Sequence, residues 1–111
     1  MVIDIKDRVK CAALQGKIVT AYDAALLINP NDKVGISGFT PSGYAKAVPL
    51  ALAERMEKEP FKIDLWTGAS VGDEADGALT RAHGINRRFP YQTNGDTRKA
   101  LNSGDIKYVD M

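Results

Sequence analysis

Apolar residues recur along this chain at two spacings, every third or fourth position in some stretches and every second in others, and the elements follow from that difference. In residues 4–14, Ile5, Val9, Ala12 and Ala13 keep helical spacing and Gly16 is a natural stop, so a short amphipathic helix is predicted. Thr20 followed by Asp23 resembles a capping box with Asp in place of Glu, opening a second helix over residues 21–28. Asn29, Pro30, Asn31 and Asp32 then turn the chain, since proline fixes one φ and the flanking side chains bond their own backbone. Residues 34–38 read as a short strand. Residues 39–46, with Pro41, Gly43 and no clear apolar period, read as a loop.

Pro49 suits the first turn of a helix whose buried face is Pro49, Leu52, Ala53 and Met56, with Glu54 and Lys58 paired at i,i+4 on the other side. Pro60 ends it. Phe61, Ile63 and Leu65 then alternate with polar residues as a strand does, leading into a second small-residue loop over residues 67–72. Asp73 can cap a helix carrying Ala75, Ala78, Leu79 and Ala82, ending at Gly84 and weakened by Gly77. Residues 87–91 form a short basic-aromatic stretch, residues 96–103 a helix stopped by Gly104, and residues 106–109 a final strand. Strands alternating with helices imply right-handed crossovers, so the expected fold is α/β: an open parallel sheet with flanking helices. Three strands are expected. The last leaves a sheet edge open, and the chain reads as the front of a larger protein, with residues 1–16 a helical segment and residues 17–111 part of a domain.

Length and composition narrow the function. At 111 residues, 44% apolar and 26% charged, the chain is an ordinary globular sequence. Fifteen basic against fourteen acidic residues give a net charge of +1, too balanced for the field that draws nucleic acid or an anionic membrane, so neither partner is expected. Residues 1–13 alternate charges with single apolar residues, unlike a secretory leader, and the compartment reads as cytoplasmic. Cys11 is the one cysteine and His83 the one histidine, which leaves no disulfide, no CxxC pair and too few ligands for a transition-metal site.

In open parallel sheets ligands bind beyond the carboxyl ends of the strands, which places the candidate site on residues 38–43 and 67–72. Gly38 and Gly43 permit close backbone approach, Thr40 and Ser42 offer hydroxyls, and the loop amides offer donors to an anion; glycines that simply make the turn explain the same pattern. Gly43 is followed by Tyr44 and Ala45 rather than Lys and Ser or Thr, so a phosphate-binding P-loop fails, and Gly35, Gly38 and Gly43 miss the dinucleotide spacing. Glu54, Glu57 and Glu59 belong to a solvated face. Asp73 and Glu74 follow the second loop, His83 suits a helix C-terminus, and Arg87, Arg88, Arg98 and Lys99 read as scattered surface charge that an anionic ligand could also use. No triad, metal cluster or carboxylate pair emerges.

Four ordered blocks nevertheless carry a resemblance: residues 37–49 (Ser-Gly-Phe-Thr-Pro-Ser-Gly-Tyr-Ala-Lys-Ala-Val-Pro), residues 65–70 (Leu-Trp-Thr-Gly-Ala-Ser), residues 90–94 (Pro-Tyr-Gln-Thr-Asn), and Arg98-Lys99 with Asn102-Ser103-Gly104. Together they resemble the start of acetyl-CoA hydrolase/transferase family proteins, which include succinyl-CoA:acetate and propionyl-CoA:succinate CoA-transferases. The resemblance implies a partial N-terminal domain of a two-domain CoA-transferase fold, homo-oligomeric at full length. It implies movement of coenzyme A, a substrate rather than a cofactor, between small acyl-CoAs and carboxylates through an enzyme glutamate. That glutamate belongs to a Gly-Tyr-Ser-Glu type motif in the family, and Gly43-Tyr44-Ala45-Lys46 is not it. No catalytic residue carries over; Gly38, Phe39, Thr40, Ser42, Gly43, Thr67 and Gly68 stand as the loop residues nearest the substrate. A non-catalytic α/β binding module and an inert truncated product are the competing expectations.

Overall fold

The computed structural model describes residues 5–39, 42–68, 70–89 and 94–109. Four parallel strands form one sheet in the order β1 (Lys33–Ile36), β4 (Ile63–Thr67), β5 (Ile85–Phe89), β6 (Lys107–Tyr108). A separate antiparallel hairpin pairs β2 (Gly38–Phe39) with β3 (Gly43–Tyr44). The expected α/β class and parallel sheet are present, with two additions. Phe39, Gly43 and Tyr44, expected in a loop, pair in the hairpin, and residues 87–89 of the basic-aromatic stretch belong to the inner strand β5.

The reason β5 escapes the period-two pattern lies in its pairing. Ile63 pairs Ile85 but Asp64 pairs Arg87, so the register slips at Asn86. Ile85 and Arg88 therefore both face the core, three residues apart, and one of the two is an arginine. An extra residue and a buried charge erase the alternation that marks a strand.

Helices connect successive strands. α4 (Ala47–Lys58) joins β1 to β4 and buries Pro49, Leu52, Ala53 and Met56, the face its spacing predicts. A π-helical turn (Asp73–Gly77) runs into α5 (Ala78–Arg81) between β4 and β5, and α6 (Gly95–Ser103) lies between β5 and β6. Each crossover steps the same way across the sheet, and right-handed crossovers of that kind put their helices on a single face. The core sits there: Leu52, Ala53 and Met56 meet Ile63, Leu65, Ala78, Leu79, Ile85 and Ile106. α6 opens on Asn94, whose side chain accepts from the Thr97 amide at 3.1 Å, and stops at Gly104, whose φ of 90° is the left-handed region glycine tolerates.

The N-terminal region departs most from expectation. Instead of one helix there are two turns, α1 (Ile5–Arg8) and α2 (Ala12–Gln15), with Val9 to Cys11 non-helical between them. α2 buries no residue, and an unpacked helix this short has little to hold it in water. α3 (Ala21–Ala25) does carry its predicted cap, Thr20 Oγ1 accepting from the Asp23 amide at 3.1 Å. It docks on α4 through Ala25 and through Arg55, whose guanidinium donates to the Ala25 carbonyl at 3.0 Å. Asn31, at φ 70°, makes the expected turn, closed by Asp32 accepting from the Asn29 amide at 2.8 Å.

Candidate functional site

The hairpin, the turn after β4 and the π-helical turn all lie at the carboxyl ends of the parallel strands, where the sheet topology leaves a crevice. The two glycine loops meet there. A Cβ on Gly38 would stand 2.7 Å from Tyr44 Cβ and 3.0 Å from Val71 Cγ1, so only glycine lets the hairpin lie against residue 71. On Gly72 a Cβ would strike the Tyr44 ring and hydroxyl, and Gly68 lies opposite the Gly38 carbonyl. Tyr44 therefore packs across the second loop, and its hydroxyl donates to Glu74 Oε2.

That contact sets the local charge. The hydrogen bond from Tyr44, with Lys46 nearby, holds the Glu74 carboxyl below the usual range, while the hydrogen bond to Glu74 pushes the Tyr44 phenol up. Lys46 Nζ lies over the Tyr44 ring, 4.4 Å from its centroid. One residue earlier, Asp73 does not cap a helix; its carboxylate accepts from Arg81 at 2.8 and 3.0 Å and from Asn94 at 3.2 Å. The Arg81 guanidinium, foremost, holds Asp73 below its ordinary value against the opposing effect of burial, with Asn94 adding to the lowering. Arg81 also reaches Asp96 at 2.8 Å. Gly77 is explained by the same pair, because a Cβ there would collide with the Asp73 carboxylate and approach Arg81 Nη1 to 2.9 Å.

Beneath the π-helical turn lies a second pair. Arg88 Nε and Nη2 donate to the two carboxylate oxygens of Asp76 at 2.7 and 2.9 Å, both side chains are 0% exposed, and Arg88 Nη1 donates to the Phe89 carbonyl. Thr80 and Thr97, 2.8 Å apart at their hydroxyls, both donate to the Asp76 carbonyl, at 2.6 and 3.3 Å. The turn that carries Glu74 is thus tied to β5 and α6. Of the four basic residues read as surface charge, Arg88 is the correction: it is in the core because Asp76 and the Phe89 carbonyl satisfy its donors.

Residues 3–111 match the acetyl-CoA hydrolase/transferase N-terminal domain. The chain belongs to this family. It is 51% identical over 106 residues, 94% of its length, to a succinyl-CoA:acetate CoA-transferase of Clostridium kluyveri, and 44% identical over 98 residues, 84% of its length, to a propanoyl-CoA:succinate CoA transferase of Escherichia coli. An acetyl-CoA hydrolase of Schizosaccharomyces pombe is 35% identical over 113 residues, 96% of this chain. The matched span is 20%, 20% and 21% of those three proteins, so the chain spans about a fifth of the length of the relatives it matches.

Within this family domain the loop residues are unevenly placed. Gly38, Gly43 and Gly68 converge at the hairpin base, and Thr67 is buried at the end of β4, paired in register with Ile36. Phe39 is 67% exposed on the hairpin and Ser42 is exposed, its amide donating to the Phe39 carbonyl at 3.2 Å; Thr40 lies outside the described residues. An apolar cavity of about 370 Å³ runs between β1 and α4, lined among others by Val34, Ile36, Val48 and Leu52, with Ser37 and Ala45 where it adjoins the hairpin. Among the described residues no three metal-ligating side chains cluster, and no helix is long and apolar enough to cross a membrane. The arrangement offers an apolar recess beside the hairpin. Tyr44–Glu74, the contact across the two loops, was missed because the two residues lie 30 positions apart and no spacing rule links them.

Proposed function

We propose that this chain supplies the hairpin side of a CoA-transferase site that moves coenzyme A between small acyl-CoAs (acetyl-, propionyl- or succinyl-CoA) and carboxylates such as acetate or succinate. The meeting of the two glycine loops at the strand ends supports the reading, because residues without side chains leave room for a ligand to approach the backbone, whose amides can serve as donors to a thioester oxyanion. The nucleophile is a glutamate outside these 111 residues. Its carboxylate attacks the acyl-CoA thioester and expels CoA thiolate, leaving an acyl-glutamyl anhydride. The thiolate then attacks the glutamyl carbonyl and releases the first carboxylate, forming a glutamyl-CoA thioester. The acceptor carboxylate attacks that thioester to form a new anhydride, and the returning thiolate takes the acyl group and frees the glutamate. The chain's own residues bind and orient; none of them exchanges a bond.

Grafting residues 1–111 in place of the matching segment of the Clostridium kluyveri relative tests this. Succinyl-CoA to acetate exchange by the chimera supports the reading, and a folded chimera without exchange overturns it. Within an active chimera, Gly38→Val should lower kcat/KM by about tenfold or more through displacement of the hairpin.

A further inference from the structure

The sheet has a second face, and the right-handed crossovers put α4, α5 and α6 on the other one. Because side chains alternate and the strands are in register, one row across this face is Lys33, Asp64, Arg87, Lys107, and the next is Gly35, Trp66, Phe89. Trp66 stacks on Phe89 with centroids 4.2 Å apart; Trp66 remains 37% exposed and shields Phe89, which is 6% exposed, while Gly35 leaves open space beside it. Lys33, Arg87 and Lys107 are exposed around them, and the single acid of the row, Asp64, accepts from Asn86 at 3.2 Å. Parallel sheets are normally covered on both faces, since their backbone and apolar side chains are poorly suited to water.

We propose that this face is the docking surface for polypeptide that the longer relatives carry outside the matched segment, and that the element seated on it is a helix with an apolar seam and acidic flanks. The seam would lie along Trp66, backed by Phe89, and enter the notch at Gly35; the acidic flanks would meet Lys33, Arg87 and Lys107. Two observations select this occupant. The matched span is about a fifth of the relatives, so most of their polypeptide lies outside it. A second copy of the chain is disfavoured by charge, because a two-fold pairing would set this cationic row against itself. The proposal concerns folding of the whole and stands apart from the CoA reading.

Cysteine accessibility tests it. In a Cys11→Ser background, Lys33→Cys and Arg87→Cys report on the face, and Glu54→Cys on the outer side of α4 serves as reference. Alkylation at each site is read by mass spectrometry in the isolated chain and in the chimera described above. Positions 33 and 87 should react about tenfold or more slowly in the chimera, with position 54 unchanged. Equal rates overturn the proposal, as does concentration-dependent protection in the isolated chain, which would mean a second copy. If the chimera does not fold, the isolated chain mixed with the relative's remaining polypeptide gives the same reading in trans, and no protection there also overturns it. Arg87→Glu with Lys107→Glu should raise labelling at position 33 in the complex by about threefold or more through like-charge repulsion, and an unchanged rate overturns the acidic flanks.

Discussion

Two aspartate-arginine pairs lie on one turn of this molecule, three residues apart, with opposite surroundings. Asp73 and Arg81 meet through two hydrogen bonds at the surface, their side chains 61% and 50% exposed; Asp76 and Arg88 meet through two hydrogen bonds in the core, both 0% exposed. The bond chemistry is the same. Water screens the first pair and competes for its donors, so either partner can lose the other at little cost. The second has no such recourse, and each charge is tolerable only because the other is present. Similar pairs therefore do different work: the outer one trims the loop, and the inner one holds the turn to β5.

The inner pair should give the largest effect. Arg88→Met strands the Asp76 carboxylate in the core, and Asp76→Leu strands the guanidinium; each should cost about 3–5 kcal/mol in urea unfolding, a large part of a domain's usual margin. The double variant, with no charge left to strand, should recover at least half of either loss. Additive losses would mean that the pair is not a unit and that burial does not separate it from Asp73–Arg81.

The outer pair should be far weaker. Asp73→Asn is expected to cost no more than about 1 kcal/mol, and less in high salt. Because Arg81 depresses the Asp73 value, its contribution is complete above the ordinary carboxylate range and is lost as pH falls through the lowered value. Gly77→Ala sharpens the contrast without touching either charge: the new methyl displaces Asp73 and Arg81 but adds helix propensity of about 1 kcal/mol, so the net change in melting temperature should be small. A large loss would show that the exposed pair carries more than its surroundings allow.

The same contrast explains what the sequence reveals. α4, the Thr20 cap and the Gly104 stop were legible because each depends on neighbours within a turn or two; the Asn94 cap of α6 was not read. The parallel sheet was legible from the alternation of elements, and so was the end of the sheet where the candidate loops lie. What failed was long-range. Arg88 reads as surface until Asp76, 12 residues away, is brought beneath it, and β5 reads as a basic stretch for the same reason. Asp73 reads as a cap until Arg81 and Asn94 take its oxygens, which leaves Gly72 at the cap position. At residues 4–14 the helical spacing was present, but α2 buries no residue, and Val9 to Cys11 break the helix in two.

Between the two extremes stands Tyr44–Glu74, the contact at the candidate site, and its effect is spectroscopic rather than energetic. Subtracting the tyrosinate absorbance titration of Tyr44→Phe from that of the unaltered chain isolates Tyr44, whose midpoint should lie above the ordinary phenol value of about 10. In Glu74→Gln the midpoint should fall, because the hydrogen bond to a charged acceptor and the repulsion that raised it are both weakened. The signs fix the working range. Tyr44's contribution is complete below its ordinary value and is lost as pH rises through the raised one; Glu74's is complete above its ordinary value and is lost as pH falls through the lowered one. The hairpin should thus stay latched across the whole neutral range. A Tyr44 midpoint at the ordinary value, unmoved by Glu74→Gln, would mean that water screens this contact as fully as it screens Asp73–Arg81, and that Gly38 and Gly72 hold the hairpin by close packing alone.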